Sequence, residues 1–249
     1  MKSICLTAVA IVFCSIQTAT SFAADPPSDA IAAIDKAIQA LGGEAKLKAA
    51  TAISWKTKGK VNFGGNESEI NGQTVAEGAD KIHGEFEGDF GGMKFKGVTV
   101  INGDKGWRNF GGMVMELDKE GLQMERRNHL LQIVPVTLLP LKSGQFKLVL
   151  LAGEKSAVAV KATGADGKSF TIHFDKESAL PIKLVAKVAG FDGQEFTQET
   201  SYSDYKEMGG IKKATKIASL RDGEAFVKQE VVEFKILDKV DQKLFDEPK

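Results

Sequence analysis

The chain has 249 residues, and its 33 Lys+Arg are balanced by 33 Asp+Glu. That balance excludes the basic footprint of a nucleic-acid binder and a polybasic patch for anionic membranes. A chain of this length buries roughly 70% of its unfolded surface, enough for a core that needs no staples.

The N-terminus reads as a secretory signal. Lys2 is a short positive region, residues 4–16 are apolar apart from Ser, Thr and Cys, and Ser21-Phe22-Ala23 offers small residues at the two positions a signal peptidase reads. Residues 1–23 are therefore predicted to be removed, with Ala24 as the alternative cleavage point. The apolar run is short for a membrane span, and Asp25-Pro26-Pro27 ends it. Both cysteines, Cys5 and Cys14, lie in this leader. The mature chain, 24–249, then has no disulfide, no thiolate metal site and no cysteine nucleophile. Phe13 stands where a lipoprotein signal carries a small residue, which argues against a lipid anchor at Cys14. The expected location is the periplasm.

A helix should follow the polar linker, with Ser28 as its N-cap, Ile31, Ile34, Ile38 and Leu41 at helical spacing, and Gly42-Gly43 as its end. Residues 44–50 suggest a second short helix. Period-two alternation then begins. Ile53, Trp55, Val61 and Phe63 share a phase opposite Lys56, Lys58 and Lys60; in residues 82–90, Ile82, Phe86 and Phe90 oppose His83, Glu85, Glu87 and Asp89. Such alternation marks an antiparallel sheet with one dry and one wet face. The phase changes at Gly97, where Val98 and Val100 take over, which predicts a bulge or bend. Residues 118–140 break the pattern with a helical composition that Pro135 should stop. Strands resume at 145–151, 156–163, 168–175, 181–189, 195–205, 211–220 and 224–237. The layout is a helix, about five strands, a helical insertion and about seven more strands, with no internal repeat standing out.

No catalytic constellation competes with this pattern, and the chain is read as a non-enzyme without cofactor. The three histidines, His83, His129 and His173, have no metal-ligand spacing and read as exposed or locally bonded. The glycine pairs are turns and lack the strand–glycine–helix context that cradles phosphate. Arg126-Arg127 reads first as a solvated helix face, and otherwise as an arginine that holds the insertion to the sheet or meets a polar head group. The aromatics and methionines are more informative. Trp55, Phe63, Phe86, Phe95, Trp107, Met115, Phe170 and Phe174 are candidates to line an apolar cavity. Leu130, Leu131, Ile133, Leu138 and Leu139 are candidates for a lid over it.

Three segments carry a resemblance. Residues 200–212, with Ser203-Asp204-Tyr205 and Gly209-Gly210, follow Asp175 and Leu180-Pro181; residues 240–248 close the chain with Asp241, Leu244-Phe245 and Pro248. Together with Leu41-Gly42-Gly43 and Leu47, these resemble the LolA-like (LolA, LolB and RseB) outer-membrane lipoprotein-sorting superfamily, in an uncharacterised secreted branch. The resemblance implies a single domain: a half-open antiparallel β-barrel of about eleven strands around an apolar cavity, lidded by helices. It implies a periplasmic carrier or binding module for lipoprotein acyl chains or another apolar ligand. The rival expectation is an envelope interaction or sensor protein, with a packed barrel and a protein partner. An enzyme is the third class, and it requires titratable side chains converging on a pocket.

Overall fold

A computed structural model describes residues 27–152, 155–190 and 194–249. The leader, its cleavage point and Cys14 lie outside them. Helix α1, Pro27–Leu41, and the short helix α2, Glu44–Ala49, open the described fold. Strands β1 (Ala52–Phe63), β2 (Asn66–Glu77), β3 (Lys81–Phe90), β4 (Met93–Asn102), β5 (Lys105–Phe110) and β6 (Met113–Glu116) form one antiparallel meander. Helix α3, Lys119–Thr137, and a 3-10 turn, Leu139–Lys142, separate it from a second meander. That meander consists of β7 (Phe146–Leu151), β8 (Ala157–Gly164), β9 (Ser169–Asp175), β10 (Pro181–Ala189), β11 (Glu195–Met208), β12 (Ile211–Arg221) and β13 (Glu224–Ile236). The strand β1 pairs with β13, so both meanders merge into one thirteen-stranded antiparallel sheet whose edges are β6 and β7.

The half-open β architecture is as expected, but with thirteen strands rather than about eleven. One face of the sheet carries most of the core. In α1, Ala30, Ile34, Ala37, Ile38 and Leu41 are buried, whereas Ile31 is exposed. The stripe packs beside Leu131, Val134 and Leu138, and against Val160, Phe170 and Ile172 from the second meander. The helix α1 thus covers the β7–β8 end of the sheet.

The helix α3 leaves one edge strand and reaches the other, so it must cross this face. Asp118 caps its start by accepting from the Gly121 amide, 2.8 Å away. Pro135 does not stop it. The helix runs on to Thr137 because residues 133–137 are all buried, and it ends at Leu138, held in the left-handed region at φ 57°. Both arginines of the pair hold it to the sheet. Arg126 donates to the Gly103 carbonyl at the β4–β5 turn, and Arg127 to the Ser169 carbonyl on β9 at 3.0 Å.

The phase change in β4 has another cause than a bulge. Pairing with β3 runs without interruption from Lys81 opposite Asn102 to Phe90 opposite Met93. The strand is regular, but its outer face is also covered. Val98 and Val100 pack with Val75, Trp107 and Phe245 under a C-terminal strap. Asp241 caps the strap's 3-10 turn, Gln242–Phe245, and the His83 ring bonds the Leu244 carbonyl at 2.7 Å. Both faces are therefore dry in this half of the strand, since Ile101 is buried with Ile82 and Leu122 on the inner side. Phe245 is 0% exposed and seals this second core. Truncation by Phe245→Ala should cost about 3–5 kcal/mol of folding stability. Urea denaturation checks it, and a loss of a few tenths would mean that the strap is an ornament of the sheet.

Candidate functional site

Glycines shape the inner face of the first meander. On β3, Phe86 lies over Gly97 of β4: a Cβ there would stand 2.4 Å from the ring. A Cβ on Gly72 would meet the Thr57 hydroxyl at 2.7 Å. Small residues under α3 leave a hollow that the helix bridges and does not fill.

This hollow is a cavity of about 420 Å³ between the inner sheet face and α3. Trp55, Thr57, Ile70, Thr74 and Phe86 form one wall, Leu184, Ala186, Tyr202 and Ile217 the other, and Asn128, Leu131 and Gln132 of α3 the roof. By strand register, Arg221 and Phe226 lie at the hairpin-tip end, and Trp55 and Lys213 toward the opposite end. The wall is mixed, not wholly apolar.

The predicted cavity residues divide. Trp55, Phe86 and Leu131 line the cavity. Phe63 and Phe95 stand at the hairpin-tip rim, and Met115 is exposed near the sheet edge. Trp107 points to the outer face, under the strap. Phe170 and Phe174 are packed in the main core, as are Ile133 and Leu138, with Leu130 and Leu139 lying half-buried against it. The alternation placed apolar residues on sheet faces, but it could not say which face, or which covered stretch of it, each would occupy.

The rim holds a repeat that the sequence reading missed. Asn62-Phe63-Gly64-Gly65, Asp89-Phe90-Gly91-Gly92 and Asn109-Phe110-Gly111-Gly112 are three copies of one hairpin tip. In each, the first side chain accepts from the second glycine amide, at 3.0, 2.7 and 3.0 Å. Both glycines of every copy have positive φ, as a two-residue hairpin turn demands. The three phenylalanines belong to one aromatic cluster. Phe63 contacts Phe90 and Phe226, Phe95 contacts Phe86, Phe90 and Phe110, and ring centroids lie 5.6–6.3 Å apart. Phe86 and Phe226 also line the cavity, so the apolar surface continues from the tips inward. Met93 and Met113, the residues that follow two of the tips, are 74% and 71% exposed. Comparing the turns with one another would have exposed the signal.

Charge in the cavity is uneven. Arg108, Lys213 and Arg221 line it against a single carboxylate, Glu125. Arg108 pairs with Glu125 beneath α3. Arg221 stacks on Phe226 with its guanidinium 3.5 Å from the ring centre and bonds Gln198 at 3.1 Å. Lys213 is 6% exposed, and its ammonium lies 5.8 Å from the Trp55 ring; among the described residues no carboxylate pairs with it. Desolvation pulls its pKa from the ordinary 10.5 down to about 8. In α3, His129 is buried as well, its Nε2 donating to the Gly78 carbonyl at 3.4 Å; burial lowers its pKa from 6.5 to about 4. His173 is also buried. Two of the three histidines, read as exposed or locally bonded, are thus buried.

Solved structures share this architecture at low identity. The chain matches a LolA superfamily protein from Nitrosomonas europaea at 12% identity and a TM-score of 0.56, covering 86% of this chain and 96% of that one. A DUF1329 family protein from Desulfovibrio piger matches at 11% and 0.54, covering 87% and 97%. A domain from Vibrio parahaemolyticus, whose name assigns it to outer membrane lipoprotein sorting, matches at 10% and 0.55, covering 87% and 97%. No protein-family model and no curated protein matches the sequence. The fold is therefore that of LolA-like proteins. No helix among the described residues is long and apolar enough to cross a membrane.

The two depressed pKa values act with the same sign in separate pH windows. Folded His129 resists a proton that the unfolded chain accepts, so stability is lost as pH falls from 6.5 toward 4. The His129 contribution to this loss is about 2 kcal/mol, and it is centred above the range where the lowered carboxylates act. His129→Leu should flatten this limb of a stability-versus-pH curve, and an unchanged slope would refute the assignment. Lys213 is forced to carry its charge at neutral pH, so stability should rise as pH climbs from 8 to 10.5. Lys213→Met removes the charge and keeps the stem. It should stabilise the fold at pH 7 by about 2–3 kcal/mol, measured by urea denaturation. A destabilised variant would show that the ammonium has a partner.

Proposed function

We propose that this protein is a periplasmic carrier or binding module for an acyl chain or a similar apolar ligand, held between the inner sheet face and α3. The observation that carries the reading is the 420 Å³ cavity bordered by a continuous run of aromatic side chains from the hairpin tips. A packed barrel would have no such hollow, and ligand pockets commonly span roughly 300–1,000 Å³. The LolA-like fold supports a carrier or binding role, and the sorting role named for the Vibrio neighbour is consistent with an acyl cargo. Burial of a chain contributes about 0.8 kcal/mol per CH₂, so a modest cavity gives useful affinity without chemistry at the site. No chemical step is part of the proposal.

A second reading, an envelope protein that binds a partner, rests on the exposed methionines at the tips, since methionine-rich surfaces adapt to varied apolar partners. Native mass spectrometry after gentle purification separates the two. The carrier reading expects a bound mass of a single-chain lipid, or uptake of added palmitate in one-to-one ratio, and reduced uptake in Leu131→Gln. A protein that arrives empty and stays empty rejects the carrier.

A further inference from the structure

Among the described residues that line the cavity, Lys213 is the cation whose charge the fold answers least. Arg108 has Glu125, and Arg221 has an aromatic face and the Gln198 amide oxygen. Lys213 has only the face of Trp55, and no carboxylate among the described residues pairs with it. It is buried and lies on the cavity wall, toward the end away from the hairpin tips. A buried charge without a partner is costly, and a ligand that brings the opposite charge recovers that cost on binding. The remaining wall adds to the preference, because three cations face one carboxylate.

We infer that Lys213 is an anion-recognition site within the cavity, and that the ligand is a single-chain amphiphile with one acidic head group, a carboxylate or a phosphate. This rests on the carrier reading and narrows it. The head group would sit deep, beside Trp55 and Lys213, and the chain would run toward Phe226 and the phenylalanine tips. Thr57, two residues along β1 from Trp55, adds a hydroxyl to this end of the cavity, whereas Thr200 and Ser219 bond each other at 3.1 Å nearer Arg221. The volume, near the lower end of the usual range for pockets, suits one chain. The ammonium is still mostly protonated at pH 7, since its pKa remains near 8.

The test compares three sixteen-carbon probes at pH 7 by displacement of a fluorescent reporter of the cavity: palmitate, monohexadecyl phosphate and methyl palmitate. The wild-type protein should bind at least one acid ten-fold or more tightly than the neutral ester. Whichever acid wins identifies the source, carboxylate or phosphate. Lys213→Met should lose ten-fold or more for that acid and leave the ester unchanged or tighter, whereas Lys213→Arg should keep the preference. The Met variant retains the stem and relieves a buried charge, so a loss confined to acids is not a folding defect. Equal binding of ester and acids, or a preference that survives Lys213→Met, overturns the anion site and leaves the carrier intact. Failure of all three probes to bind rejects the carrier and the anion site together.

Discussion

One ladder of backbone hydrogen bonds, between β1 and β13, holds the two meanders in a single sheet. It joins strands from opposite ends of the described chain, and it makes the inner wall continuous from Thr99 on β4 through Trp55 to Leu184 on β10. The ladder slips once, between Lys56 and Thr57, and a bulge of this kind bends its strand and increases the local twist. The resulting sheet has two edges, β6 and β7, and the chain must connect them. The connection is α3. Its place over the hollow therefore follows from connectivity, and Arg126, Arg127 and His129 fasten it to backbone carbonyls on both sides of the sheet.

The motifs behind the sequence resemblance prove to be parts of the frame. Asp204 has φ 54° within β11, where the register with β12 does not shift, and the Thr215 hydroxyl donates to its carbonyl and carboxylate. The next residue, Tyr205, donates to the Pro181 carbonyl at 2.6 Å, so the Asp-Tyr and Leu-Pro motifs meet in space. Asp175 accepts from the Ser178 amide in the turn before that proline. At Gly42, φ is 136°, and a Cβ would stand 2.8 Å from the Gly210 carbonyl, so the two Gly-Gly pairs touch. Each motif answers a local demand of backbone geometry. That is why the sequence could announce the fold and yet leave the cargo open.

What was not legible has the same origin. Periodicity reports that a residue is buried and leaves the covering element unnamed. Val98 and Val100 resembled a bulge because the strap that covers them comes from the far end of the chain, where Phe245 sits. Pro135 suggested a helix end, and burial of the next residues carried the helix past it. His173 shares the strand phase of Thr171 and Asp175 and His129 follows Arg126-Arg127-Asn128, and only their three-dimensional surroundings remove both from water. The tip repeat was legible and was hidden by the variable strands between its copies.

Lys213 bears on whether the hollow is a site or merely unfinished packing. An apolar void can be closed by larger side chains, with a gain in stability. A void whose wall holds an ammonium cannot close over it without supplying a partner for the charge. The residue that lowers the stability of the fold thus also keeps the hollow from being packed shut. Gly72 acts in the same direction by withholding a side chain from the cavity wall. At the rim the constraint reverses. Phenylalanines and methionines remain partly exposed around rigid two-glycine turns, so apolar surface stays available without loosening the strands that carry it. At the rim Arg221 is held by Phe226 and Gln198, while the Lys213 ammonium at the other end has only the Trp55 face, so an amphiphile lying along the hollow would place its acid beside Lys213.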